Sequence, residues 1–181
     1  LVDTTAPTVS GNIGLPSDGS YKAGQAFSFT VTFSEDVAVT GTDSALGLTI
    51  GSTSCSAAYA SKTTNSVTYS YTVQAGDTDA DGITVGSLTL NTTAIRDAAA
   101  NDANLSLSGH VPATTGILVD TTAPTGSGNI GVPSDGSYKA GQALSFTVTF
   151  SENGAVTGTD SALGLTIGST SRSAAYASKT T

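Results

Sequence analysis

Residues 1–64 return at 118–181 with a shift of 117, and only six positions differ between the two copies. Self-similarity at a fixed period marks a modular array, in which a repeat is one folding unit. The chain therefore reads as a complete repeat, residues 1–117, followed by the N-terminal half of a second and near-identical repeat, residues 118–181. It is expected to be an excerpt from a longer string. A copied surface argues against an enzyme, because chemistry needs one converged site. A unit of this length buries about two thirds of the surface its unfolded chain exposes, enough for a core of its own.

Ser and Thr dominate the composition, with 21 Gly and neither Trp nor Met. Thr, Val, Ile, Tyr and Phe supply strands, while no stretch keeps an apolar period of 3.6 residues. The clearest strand is residues 26–33, where Phe27, Phe29, Val31 and Phe33 alternate with Ser and Thr and so share one face. Leu46, Leu48 and Ile50 form a second alternating set, and residues 56–61 a weaker one around Tyr59. Val67, Tyr69, Tyr71 and Val73 alternate again. Ile83, Val85, Leu88 and Leu90 slip phase at Gly86-Ser87, which predicts a bulge. Residues 8–13 are expected as a first edge strand. A last strand is expected from 105 toward 118, interrupted by Gly109 and Pro112. Seven or eight short strands with frequent turn signals predict an all-β fold, an antiparallel Greek-key sandwich of immunoglobulin-like order.

The net charge is −8, and twelve of the fourteen acids are Asp. Such a chain repels nucleic acid and anionic membrane surfaces and draws divalent cations. No apolar run reaches transmembrane length, and no signal peptide is visible. In an immunoglobulin-like order the loops alternate between two poles. That map brings Asp3 of the leading segment, Glu35 and Asp36 after the second strand, and Asp97, Asn101 and Asp102 before the last strand to one pole. Asp77, Asp79 and Asp81 fall at the other with Asp18, close to Asp120, which opens the next copy. The run Asp77-Thr78-Asp79-Ala80-Asp81-Gly82 carries alternate carboxylates and a turn glycine, a spacing that suits Ca²⁺. It lacks the bidentate Glu of a helix–loop–helix calcium loop, since Leu88 stands at that place. The alternative is a solvated Asp-Gly turn. At the first pole several carboxylates would repel one another unless a cation bridged them. The alternative there is that Asp3 and Glu35 make local turn hydrogen bonds. In the second copy Asp120 and Glu152 persist, while Asp36 becomes Asn153.

The phrases Val2-Asp3-Thr4-Thr5-Ala6-Pro7-Thr8, Phe33-Ser34-Glu35 and Asp97-Ala98-Ala99-Ala100-Asn101 resemble the tandem bacterial immunoglobulin-like domains of giant surface adhesins, the extender repeats of biofilm-associated and type I-secreted proteins. The resemblance spans the whole chain. It implies an extracellular or cell-surface location and Ca²⁺ held near domain boundaries by the junction Asp, the Glu after strand B and the Asp before strand G. Those positions are Asp3, Glu35 and Asp97, with Asp120 and Glu152 in the copy. Ala100 stands where the family commonly has Gly, and Asn153-Gly154 replaces Asp36-Val37. Both departures put identical calcium loading of the two units in doubt.

His110 is the only histidine, which excludes a two-His metal site within one chain and leaves a Ser-His-Asp set without a plausible seat. The expected function is a non-catalytic, calcium-stiffened spacer in an adhesin or surface fibre. The alternatives are a carbohydrate- or protein-binding module and a self-assembling filament or surface-layer subunit. Cys55 is expected at the surface, because its counterpart is Arg172. Expected partners are neighbouring repeats, with homo-oligomerisation or strand exchange through the half repeat. Residues 118–181 supply only about four strands, so Leu144, Phe146, Val148 and Phe150 are expected to form an apolar face that a partner covers.

Overall fold

The computed structural model describes residues 2–180 and divides into two compact units, Leu1–Thr122 and Ala123–Thr181. Among the described residues every regular element is a β-strand. The first unit carries β1 (Gly19–Tyr21), β2 (Ala26–Thr32), β3 (Ala38–Thr40), β4 (Ala45–Ile50), β5 (Thr53–Lys62), β6 (Ser66–Thr72), β7 (Thr78–Asp79), β8 (Thr84–Thr89), β9 (Ala94–Arg96) and β10 (Ile117–Asp120).

Its main sheet is antiparallel with the order β2-β6-β5-β4-β8. β6 lies inside it, pairing Val67 with Val31 and Tyr69 with Phe29 on one side. On the other side Tyr69 faces Tyr59 of β5. The period-two face of β2 is fully withdrawn from water: Phe27, Phe29 and Val31 are each 0% exposed. They join Leu46, Ile50, Val67, Tyr69, Ile83, Ile95 and Ile117 in one continuous apolar cluster. Tyr21 and Phe27 meet edge to face at 4.8 Å, within the range where aromatic pairs add to area burial. The predicted bulge is present. Leu46 faces Leu88 and Leu48 faces Val85, so Gly47 alone opposes Gly86 and Ser87.

Two smaller sheets, β1-β10-β7 and β3-β9, complete the unit. β1 and β10 run parallel, a departure from the expected all-antiparallel arrangement. The expected edge strand at 8–13 is a pair of antiparallel bridges, Val9 to Phe33 and Gly14 to Thr30, together with a parallel bridge from Thr8 to Asn104. It lies between two neighbours and forms a ladder with neither. The expected last strand also begins later. Around Gly109 the chain turns, with His110 N donating to Leu107 O, and the ladder forms only at β10. That strand opens the second copy in sequence yet pairs with β1 and β7, so the structural boundary lies a few residues beyond the repeat period. Cys55 is half-buried against the core, contrary to the expected surface position, because β5 turns it toward the same face as Ala57 and Tyr59.

The second unit holds the hairpin of β11 (Ala162–Ile167) and β12 (Thr170–Ala175), with the register of β4 and β5. Two bridges, Gly126 to Phe150 and Gly131 to Thr147, repeat those of the first unit. None of its described residues is buried. Leu144, Val148 and Phe150 are 37%, 44% and 52% exposed, which matches the expected apolar face, and Phe146 is half-buried.

The two copies provide an internal control. Phe29→Ala removes a fully buried ring and is expected to cost about 3–5 kcal/mol, whereas Phe146→Ala is expected to cost under about 1 kcal/mol. Denaturant unfolding of both variants of the whole chain measures the difference.

Candidate metal centre

The leading segment of the first unit is held from two sides. Thr8 N donates to Ser34 Oγ at 3.1 Å and Ser34 N to Thr8 O at 2.8 Å, which ties it to the end of β2. Asn104 N donates to Pro7 O at 2.8 Å, which ties it to the chain beyond β9. Asn101 adds a clamp. Its Nδ2 donates to Asp3 O at 3.3 Å, to Thr5 O at 3.4 Å and to Asp97 Oδ2 at 2.6 Å.

These bonds gather Asp3, Glu35 and Asp97, each offering a carboxylate oxygen within 4.8 Å of the others. The burial is graded, from exposed Asp3 through half-buried Glu35 to buried Asp97. It is the one such group among the described residues. The electrostatics of its members diverge. Desolvation raises Glu35, and the charges of Asp3, Asp97 and Asp36 push it further above the ordinary Glu range. Burial also works to raise Asp97. The Asn101 side chain and the backbone N–H groups of Asn101, Ala99 and Ala100 outweigh it and hold the Asp97 carboxyl below the usual range. Three carboxylate oxygens this close together could hold a hard divalent cation. The tight turn that delivers Asp97 places Ala100 at φ 69°, a left-handed conformation that favours glycine.

The run at 77–82 is arranged differently. Asp77 and Asp79 are buried, and their oxygens accept protein donors. Asp77 Oδ2 takes Tyr71 Oη at 2.7 Å and Gln74 N at 2.8 Å. Asp79 takes Gly51 N at 2.6 Å on Oδ2, and Gly82 N at 2.8 Å and Asp81 N at 3.3 Å on Oδ1. Burial alone would raise Asp79, but these donors outweigh it and lower the carboxyl. Tyr71 is raised by desolvation and by its bond to Asp77. Gly82, at φ 106°, lies so close to Thr114 and Thr115 that any side chain would collide with them. The loop is thus docked into the unit by its acids. Asp81 stays exposed. Asp120 is brought to this end by pairing with Thr78, and its Oδ1 accepts Thr122 N at 3.0 Å, the same turn Asp3 makes with Thr5. Asp18 packs against Gly116.

Asp102 is drawn to Arg96, 2.5 Å from its Nε, in an exposed pair of little energetic weight. Asn101 stands at the cluster as a donor, although its role as a clamp was not foreseen. In the second unit, Glu152 Oε1 is a buried oxygen without a hydrogen-bond partner. Ser34, which anchors the leading segment, was also missed. Its signal was available, since Thr8 and Ser34 recur as Thr125 and Ser151 and the bond recurs at 3.1 Å.

Comparison of the chain with protein-family models, with curated proteins and with solved structures finds no match.

Two outcomes follow from the geometry. In a carboxyl NMR titration Glu35 is expected to titrate above the ordinary Glu value and Asp97 below that of Asp, and Asn101→Ala is expected to move Asp97 upward. The signs for stability are opposite. Asp97 contributes above the unfolded Asp pKa, and this is lost as pH falls through its depressed folded value. Glu35 opposes folding above its raised value and is relieved as pH falls through it. Separately, Ala100→Gly is expected to stabilise the first unit by about 1 kcal/mol by relieving the left-handed backbone, read from the unfolding midpoint.

Proposed function

We propose that the chain is a structural, non-catalytic repeat of an extracellular bacterial adhesin or surface fibre, immunoglobulin-like in topology and stiffened by calcium. The observation that carries this reading is the meeting of Asp3, Glu35 and Asp97. Asp3 belongs to the segment that leads into the repeat, and the other two belong to loops at the ends of β2 and β9. A cation shared by the three fixes the leading segment to the body of the unit and so fixes the direction in which the preceding chain enters. Hydrogen bonding by Ser34 and Asn101 orders that segment in advance, which lowers the entropy that ion binding must supply. The near-identity of the copies supports a role in length and spacing over one in recognition.

For a site with a dissociation constant of roughly 10 µM, Ca²⁺ at about 1 mM adds about 3 kcal/mol to the unit. That corresponds to a rise of about 10 °C in melting temperature for a domain of this size. The test is thermal unfolding of the whole chain in Ca²⁺ and in chelator. Asp3→Ala and Glu35→Gln are expected to abolish the calcium shift, and Glu35→Gln to raise the melting temperature slightly in chelator because it removes repulsion. Asp79→Ala is expected to lower the melting temperature equally in both conditions, since its oxygens serve backbone donors. A calcium shift that survives Asp3→Ala and Glu35→Gln would overturn this assignment.

A further inference from the structure

We propose that Asn153-Gly154 is a self-modifying site, at which residue 153 loses ammonia and becomes a carboxylate, as aspartate or isoaspartate. The inference stands apart from the calcium reading and does not depend on it. It starts from the six positions that separate the two copies. Two of the six are adjacent, because Asp36-Val37 of the first copy is Asn153-Gly154 in the second.

The reaction is intramolecular. The Gly154 backbone nitrogen attacks the Asn153 side-chain carbon Cγ, and the new N–Cγ bond closes a five-membered imide. The Cγ–Nδ2 bond breaks, and the amide group takes the proton from the backbone nitrogen and leaves as ammonia. Water then opens the ring. Opening at the side-chain carbonyl gives aspartate. Opening at the backbone carbonyl gives isoaspartate, in which the main chain runs through Cβ and Cγ. One water is consumed and one ammonia released, with no change of oxidation state.

Ring closure needs room around the attacking nitrogen and a backbone free to rotate. Glycine supplies both, since it lacks Cβ and has the widest conformational range. The fold itself does not require glycine here. Gly154 lies outside the left-handed region, and a Cβ placed on it would meet nothing nearer than Pro124 Cγ at 3.4 Å. Val37 fills the corresponding position in the first copy with a β-branched side chain that is 3% exposed. Asn153 is exposed and lies outside every strand and bridge.

The other six asparagines are each followed by a residue that carries a Cβ. Three of them are also tied by their amide. Asn65 Nδ2 donates to Phe33 O at 3.2 Å, Asn91 Nδ2 to Asp43 O at 2.7 Å and Asn101 Nδ2 to Asp97 Oδ2 at 2.6 Å.

The product restores the acidic pair of the first copy, Glu35-Asp36. There the Asp36 charge bears on Glu35 and helps to raise it. A carboxylate at position 153 sets the same charge beside Glu152, whose Oε1 is already a buried oxygen without a hydrogen-bond partner. The isoaspartate form also lengthens the main chain by a methylene group at this turn. The second copy thus gains charge at this turn with age, whereas the first carries it from synthesis.

The experiment holds the whole chain at neutral pH and physiological temperature and maps its tryptic peptides by mass spectrometry over time. Cleavage after Lys139 and Arg172 releases residues 140–172, in which Asn153 is the only asparagine. Fragment ions separate it from Gln142, the other side-chain amide of that peptide. The peptide is expected to divide into two products, aspartate and isoaspartate, each with the mass gain of an amide-to-acid exchange at 153. This conversion is expected ahead of that at any other asparagine. Gly154→Val is expected to slow it by more than an order of magnitude, because a β-branched side chain crowds the attacking nitrogen. Gly154→Ala is expected to slow it to a smaller degree, and it keeps the test valid if valine disturbs the turn.

Three results would overturn the proposal. Asn153 could keep its amide in the chain over the time in which the isolated 140–172 peptide converts, which would mean that the fold shields the site. Another asparagine could convert first. Finally, aspartate could form without isoaspartate and at an unchanged rate in Gly154→Val and Gly154→Ala, which would mean direct hydrolysis by water with no imide.

Discussion

The fold depends on one strand inserted from the far half of the repeat. β6 enters the sheet between β2 and β5, both of which come from the first 64 residues. Its two inward residues, Val67 and Tyr69, are fully buried and bond with neighbours on either side through a complete and a bulged ladder. A central strand satisfies two rows of backbone donors and acceptors at once, so its absence leaves both flanking strands with an open edge. β5 reaches β6 through a short turn, but β2 lies tens of residues away in sequence, so β6 couples distant parts of the repeat into one cooperative unit. Such non-local pairing forms only after the loop entropy has been spent.

The same long-range closure positions the acids. Asp97 reaches the leading segment because β9 pairs with β3, and Glu35 reaches it because Ser34 ties the end of β2 to Thr8. The two acid-rich regions then differ in the number of donors. Around Asp77 and Asp79 the loop folds back so that the Tyr71 hydroxyl and backbone N–H groups donate to the carboxylates, which act as internal caps. Around Asp3, Glu35 and Asp97 most donors go to Asp97, and Glu35 receives like charge from three sides. Clustered carboxylates can be structural cement or a candidate ion site according to how many N–H groups surround them.

Much of this arrangement is readable from residue pattern. The alternation at 26–33 locates β2 and its inward face, the slip at Gly86-Ser87 locates the bulge, and the pole argument brings Asp3, Glu35 and Asp97 together. Other features were not readable. The short strands β3, β7 and β9 lack any periodic signal, because two or three residues paired to a partner carry no period. The parallel course of β1 beside β10 depends on the meeting of two segments far apart in sequence. The run at 77–82 shows its spacing in sequence but hides its donors, which come from Tyr71, Gly51 and the chain itself.

The repeated segment separates local information from tertiary information within one molecule. Features made by residues close in sequence, or by both partners within the 64-residue copy, recur. Tyr21 donates to Ser17 as Tyr138 does to Ser134, the Thr8–Ser34 bond returns as Thr125–Ser151, and the β4–β5 hairpin returns as β11–β12 in the same register. Sequence by itself determined these, because turn chemistry and a short hairpin need no distant partner. The strand at 26–32 does not return as a ladder at 143–149, although six of its seven residues are the same. An apolar alternating stretch becomes a strand when another strand satisfies its backbone and covers its face. Only the tertiary structure of the first unit supplies one.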